Sequence, residues 1–245
     1  MASVEAAAIG GAGTTSAVVS SAGGPFVDLA LTLPIFVAYH LGVVFLPVRN
    51  AADFVTRELV ALADHSVLGY SLLTLGLGGA YVAGLLVAGR RTALDWSRFA
   101  LVAVEGIAYA IAMRLVAGWV VGKLSLGAFG GGAFTGLVMS LGAGFYEEVA
   151  FRVVLYGLGA RLLVLLLVKE PTAPRRWLVR VGWAMVAAAV FSGWHYVGAL
   201  GDPFEVRSFV FRWVCGVVFT LIYAARGFAP AVWTHALYDV WVLVL

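Results

Sequence analysis

The stretch LGAGFYEEVAFRVVLYG, residues 141–157, places two glutamates and an arginine among residues that prefer lipid to water. A charged side chain at the centre of a membrane-spanning helix costs about 2.5–3.5 kcal/mol, so these three residues need partners or a function. Glu148 and Arg152 are four residues apart, in the order that favours an ion pair on one helix face. Glu147 lies about 100° around the helix from Glu148, so that pair does not satisfy it. The stretch alone leaves two interpretations open, an internal charge network or a carboxylate held for use as a general base.

The composition of the whole chain predicts an integral membrane protein. Of its 245 residues, 62% are hydrophobic and 12% are charged, and the mean hydropathy is +0.99. Ordinary soluble domains carry about 25% charged residues. Because a helix needs about 20 apolar residues to cross the bilayer, we predict spans near residues 26–46, 67–88, 99–121, 133–157, 181–200, 206–225 and 228–245.

The predicted fold is an all-α polytopic bundle with an intramembrane polar site. Residues 158–168 are too short to cross alone and either prolong the fourth span or form a half-helix, so the count is seven spans, or eight with an extra crossing. Residues 1–24 are rich in Ala, Gly, Ser and Thr and are predicted to form a flexible tail. Residues 25–245 then form a single transmembrane domain, in which Pro34 is expected to kink the first span.

Two later spans also carry polar residues at helical spacing. In FSGWHYVG, Phe191 and His195 are four residues apart, and in WTHALYDVW, His235 and Asp239 have the same spacing. Each pair is expected to share one face of its helix. The first three predicted spans show no comparable motif, and the lone His40 is expected to bond a backbone carbonyl. Three spans that each present an ionisable cluster to one bundle are difficult to explain by packing alone.

These three clusters resemble the motifs of a known family. EEVAFR matches the pattern EExxxR, FSGWH matches FxxxH, and HALYD is similar to HxxxN with Asp in the last position. In this order, on successive membrane helices, they resemble the CPBP intramembrane proteases, which comprise the CAAX prenyl endopeptidases and their bacterial relatives linked to bacteriocin processing and self-immunity. The resemblance covers residues 133–245 and implies an intramembrane glutamic endopeptidase.

The resemblance also implies roles for the catalytic residues. Glu147 would activate a water molecule with help from His195, and His235 with residue 239 would stabilise the oxyanion that forms on the substrate carbonyl. Asp239 departs from the family pattern, because a carboxylate accepts hydrogen bonds and donates one only when protonated. It is therefore expected either to be protonated or, more simply, to orient His235 as a carboxylate partner.

Three further residues are expected to support the site. Glu148 and Arg152 would orient the helix and adjust the charge around Glu147, and Phe191 would pack behind the site. No cofactor is implied.

A zinc site is the competing chemistry, because Glu and His are zinc ligands. The chain has no HExxH motif, which would supply two ligands and a base from one helix. Glu147, His195 and His235 remain an alternative three-ligand set with one position open for water.

The expected partners are the lipid bilayer and a membrane-associated peptide or protein substrate, and no basic surface suggests nucleic acid. The 14 Arg against 2 Lys, together with the resemblance, suggest a bacterial cytoplasmic membrane. Two other functions stay open: a non-catalytic membrane protein of the same fold that binds a peptide or confers immunity, and a proton-coupled transporter. The transporter would require repeated or broken helices in two corresponding halves, which the sequence does not show. Neither the substrate nor the oligomeric state can be inferred from the sequence.

Overall fold

The computed structural model describes residues 24–88, 94–122, 132–168, 172–198 and 201–245. Within these ranges the chain forms helices and no strand, which confirms the all-α prediction. The α-helices are α1 Gly24–Leu31, α2 Leu33–Val43, α3 Thr56–Leu62, α4 Val67–Val87, α5 Trp96–Val121, α6 Gly132–Gly142, α7 Gly159–Leu167, α8 Ala173–Trp194, α9 Val206–Arg226 and α10 Phe228–Leu243. The tail predicted over residues 1–24 lies, apart from Gly24, outside the described residues.

Helices stand at all seven predicted places, but not all are long enough to cross a bilayer alone. Among the described residues, five helices are long and apolar enough, namely α4, α5, the continuous helix Gly132–Leu167, α8 and α9. The pair α1 and α2 bends by 42° around Thr32, close to the expected kink at Pro34, and makes a sixth span when the two helices are counted as one. The protein is therefore an integral, multi-pass membrane protein.

The continuous helix Gly132–Leu167, called the long helix below, settles the prediction for residues 158–168. This segment prolongs the fourth span as α7. Between α6 and α7 the helix widens into π-helical turns over Ala143–Glu147 and Val149–Leu158. Such π segments are rare in proteins and often mark functional sites. Here they contain or adjoin every charged residue of the opening stretch.

The carboxyl-terminal helix α10 is the centre of the bundle rather than a free crossing. It has 16 residues, slightly fewer than a span needs, and packs against α1, α5, α6, α9 and the first π segment. Its first turn is capped from a distance, because the buried Asp28 carboxylate accepts a hydrogen bond from the Phe228 N–H. The preceding Gly227 has φ +105°, a conformation that favours glycine.

Close contact between α10 and the long helix depends on Gly144. A Cβ atom at this position would lie 2.6 Å from the Ala236 Cβ and 2.8 Å from the Ala236 backbone nitrogen. We expect Gly144→Ala to lower the free energy of unfolding by about 1–3 kcal/mol, because overpacking forces the two helices apart. Gly182→Ala is the matched control, since a Cβ there would meet nothing within 4 Å.

This prediction is checked by unfolding both variants in mixed detergent micelles. Equal stability of Gly144→Ala and Gly182→Ala would contradict the tight contact between the two helices.

Candidate functional site

The four residues predicted to be catalytic line one cavity of about 500 Å³ between the long helix, α8, α9 and α10. Glu147 ends the first π segment, and His235 and Asp239 project from α10 one turn apart. The predicted span 181–200 is wrong at both ends, because α8 runs from Ala173 to Trp194. His195 is therefore the C-cap of α8 and does not lie inside the span. The chain leaves the helix at this residue, which lines the cavity.

Glu147 has one carboxylate oxygen bonded and one without a hydrogen bond. The side chain is buried, and its Oε1 accepts a hydrogen bond of 2.8 Å from Asn50 Nδ2. Its Oε2 is buried and has no hydrogen-bond partner among the described residues. His195 Nε2 lies 3.9 Å from Oε2. This distance is too long for a direct bond and is the separation that a single water molecule can bridge.

The backbone determines which nitrogen of His195 is the acceptor. Nδ1 lies 2.9 Å from the carbonyl oxygen of Phe191, and because a carbonyl only accepts, Nδ1 must carry the proton. In a neutral imidazole Nε2 is then the acceptor. Phe191 also holds the ring by an edge-on contact, with ring centroids 5.0 Å apart. Glu147 and His195 therefore present two acceptors to the same part of the cavity.

Glu148 belongs to a separate group of contacts behind the cavity. It is fully buried, with Oε1 2.7 Å from His235 Nδ1 and Oε2 3.1 Å from Arg152 Nε. The ion pair expected from the i, i+4 spacing of Glu148 and Arg152 is thus present, although its angles do not make it a hydrogen bond. His235 is oriented chiefly by Glu148, because the Asp239 carboxylate lies 3.5 Å from the other ring nitrogen, Nε2.

Aromatic rings enclose the buried arginine. The Arg152 guanidinium carbon lies 4.2 Å from the centroid of the Phe191 ring and 5.0 Å from that of Phe219. The Phe219 ring also stacks on His235 at a centroid distance of 4.4 Å. The Phe191 ring, for which a packing role is predicted, contacts Arg152, His195 and His235. Arg152 neutralises Glu148 and cannot reach solvent.

The described residues contain no group of three His, Cys, Asp or Glu side chains placed to hold a metal ion. The set Glu147, His195 and His235 is therefore not arranged as a three-ligand zinc site. Nδ1 of His235 is directed at Glu148, and Nδ1 of His195 at a backbone carbonyl.

The amino-terminal half contributes to the site, which the three sequence motifs did not predict. Asn50 lies in the segment between α2 and α3 and reaches Glu147 across 97 positions of sequence. His40 does not bond a backbone carbonyl as expected, because its Nε2 lies 2.7 Å from the Tyr146 hydroxyl and its Nδ1 contacts the Tyr70 hydroxyl. One signal could have found Asn50: it is the only asparagine in the chain, and the chain has no glutamine.

The segment that carries Asn50 is held by Asp53. This carboxylate accepts hydrogen bonds from the Tyr39 hydroxyl at 2.7 Å and from the N–H groups of Val55 and Thr56, and it also contacts the Thr56 hydroxyl. Burial acts to raise the pKa of Asp53, but the hydrogen bonds from Thr56, Tyr39 and Val55 outweigh it, so the pKa lies below its ordinary value. Asp53 therefore stays charged at neutral pH.

Comparison with known proteins agrees with the motifs. The family model described as "Type II CAAX prenyl endopeptidase Rce1-like" matches residues 129–241. This range contains all the residues predicted from the three motifs and excludes Asn50. No curated protein and no solved structure gives a significant match.

Proposed function

We propose that the protein is an intramembrane endopeptidase that uses glutamate-activated water. The premise is that residues 129–241 belong to the Rce1-like family of type II CAAX prenyl endopeptidases. The observation that carries the proposal is the pair of acceptors in the cavity. Glu147 Oε2 has no hydrogen-bond partner among the described residues and lies 3.9 Å from His195 Nε2. One water molecule between them can donate a hydrogen to each atom, which leaves a lone pair on its oxygen for attack.

The hydrolysis then follows from the positions of these groups. Glu147 takes a proton from the water while the water oxygen bonds to the substrate carbonyl carbon, and the carbonyl electron pair moves to its oxygen. When the carbonyl re-forms, the carbon–nitrogen bond breaks and the amine nitrogen receives the proton from Glu147. The products are a free carboxyl end and a free amino end. Proton transfer by a positioned side chain typically contributes about 10²–10⁴-fold to rate.

His235 is the proposed donor on the oxyanion side. Its ring is fixed by Glu148 at one nitrogen and by stacking on Phe219, so its other edge is presented to the cavity that it lines. The ring lies between two carboxylates, Glu148 at Nδ1 and Asp239 at Nε2, and the proposed mechanism has it in its protonated form. A protonated ring has N–H donors on both sides. Asp239 lies 3.5 Å from His235 Nε2 and no hydrogen bond joins them, so the Nε2–H group can donate to the oxyanion. Asp239 acts as the carboxylate partner of His235 through its charge alone, a form of the simpler of its two expected roles.

The proposed substrate is a peptide bond of a membrane-associated peptide or protein, and no metal ion or other cofactor takes part. The cavity lies within the helical bundle, so the substrate must approach through or beside the bilayer. We also propose that the membrane is a bacterial cytoplasmic membrane. This rests on the resemblance to bacterial relatives and on the excess of Arg over Lys.

The test in cells compares the termini of membrane-associated peptides by mass spectrometry. Cells that carry Glu147→Ala or His195→Ala should both accumulate the same uncleaved precursor relative to wild type, because each variant removes one acceptor of the attacking water. The precursor would also identify the substrate. If both variants are stably inserted and no terminus changes, proteolysis is excluded and a peptide-binding or immunity role takes its place.

A further inference from the structure

Asn50 carries the only carboxamide side chain among 245 residues, and it lies against Glu147. The chain has no other asparagine and no glutamine, and this one carboxamide lies in the candidate active site. Asn50 is 7% exposed and lines the cavity, although it lies far outside the residues that match the family model.

The hydrogen bonds of Asn50 determine the orientation of its amide. Oδ1 accepts a hydrogen bond of 2.8 Å from the Ala52 N–H, and Nδ2 donates one of 2.8 Å to Glu147 Oε1. Reversing the amide would place its oxygen against a carboxylate and its NH₂ against an N–H group, so both contacts would become repulsive. The NH₂ group therefore faces Glu147.

The surrounding residues hold the amide in that position. The Asn50 backbone N–H donates to the Tyr39 hydroxyl at 3.4 Å, and that hydroxyl in turn donates to Asp53 at 2.7 Å. A second connection runs from His40 on α2 to the Tyr146 hydroxyl, directly before Glu147 in the chain. These contacts fix the segment after α2 to the first π segment of the long helix.

The NH₂ group has two hydrogens, and Glu147 uses one of them. The second has no acceptor among the described residues, while Asn50 lines the cavity in which the substrate carbonyl would lie. Asp239, at the position where the family pattern has Asn, is an acceptor when ionised and cannot donate to an oxyanion. Asn50 is the only amide side chain available to that cavity.

We propose that Asn50 supplies the side-chain amide of the active site, with one N–H holding Glu147 and the other donating to the carbonyl oxygen of the bound peptide. This proposal rests on the proposed endopeptidase function. It gives the amino-terminal half of the chain a direct part in the reaction, which none of the three motifs assigns to it.

The test is steady-state cleavage by the purified, full-length protein of the precursor found in cells. Asn50→Ala should lower kcat by about 10²–10³-fold, the typical effect of removing one oxyanion donor, and leave KM within about threefold. Asn50→Asp keeps the shape of the side chain, removes both donors and sets a second carboxylate against Glu147. It should therefore lose at least as much activity as Asn50→Ala.

The fraction of folded protein in detergent, measured for Asn50→Ala and Asn50→Asp beside wild type, separates this role from a structural one. Both variants should stay folded while kcat falls. A kcat of Asn50→Ala within threefold of wild type would overturn the proposal. So would a loss of kcat that matches a loss of folded protein in detergent. Cleavage by wild type that does not depend on Glu147 would overturn the proposed function, and this inference with it.

Discussion

Replacing Glu147 by Gln should lower kcat for peptide cleavage by at least about 10²-fold and up to 10⁴-fold, the contribution typical of a positioned general base. Gln has the same shape and can still accept the hydrogen bond from Asn50 through its oxygen. Its NH₂ group, placed where Oε2 lies 3.9 Å from His195, cannot take a proton from water. Substrate binding and folding should therefore survive while the chemistry is lost.

The measurement is cleavage of the identified precursor by purified protein, with binding of the intact precursor as a second readout. Glu58→Gln on α3 is the matched control, because Glu58 is exposed and lies outside the cavity, and it should retain wild-type activity. Retention of more than a tenth of the wild-type kcat in Glu147→Gln would exclude Glu147 as the base.

Cleavage by the wild-type protein should also continue in the presence of a zinc chelator. Loss of cleavage under that condition would restore the metal alternative.

Replacing Arg152 by Met should lower the free energy of unfolding by about 3–5 kcal/mol, because removing one partner of a buried ion pair leaves an uncompensated charge. Arg152 is 1% exposed and Glu148 is fully buried, with 3.1 Å between Arg152 Nε and Glu148 Oε2. The methionine would still fill the space between the Phe191 and Phe219 rings. The loss would therefore arise mainly from the charge left on Glu148.

The double variant Glu148→Gln/Arg152→Met tests that cause. It removes both charges and keeps an oxygen that can accept from His235 Nδ1, so most of the lost stability should return. Arg57→Met is the control for loss of a cation on an exposed position of α3. Unfolding in mixed detergent micelles measures all three variants. A double variant no more stable than Arg152→Met alone would show that packing of the guanidinium, and not its charge, stabilises the site.

The two adjacent glutamates have separate surroundings, which only the structure could reveal. Sequence spacing pairs Glu148 with Arg152 and leaves Glu147 outside that pair, and the structure agrees, because Glu148 Oε2 lies 3.1 Å from Arg152 Nε while Glu147 Oε1 bonds Asn50 instead. The sequence assigned His235 and Asp239 to one helix face, but it could not show that Nδ1 of His235 bonds Glu148. That contact joins α10 to the long helix, and helical periodicity describes a single helix only.

The limits of the predicted spans have a similar cause. Hydropathy located the long helices of the bundle but not the short α3. It also placed the end of α8 six residues too late, because Tyr196, Val197 and their neighbours are apolar enough to continue a helix. The same apolarity made α10 look like a full crossing, although its 16 residues are surrounded by other helices. A buried helix and a lipid-facing helix have the same composition, since both lack contact with water.

By itself, the sequence determined the membrane environment, the all-helical fold, the positions of the helices and the three polar clusters, because each depends on composition or on spacing within one helix. The tertiary structure decided which glutamate oxygen faces His195 and brought Asn50 to Glu147. It also replaced the expected backbone partner of His40 with two tyrosine hydroxyls. These are contacts between segments far apart in the chain, which depend on how the helices pack against one another and not on any local pattern of residues.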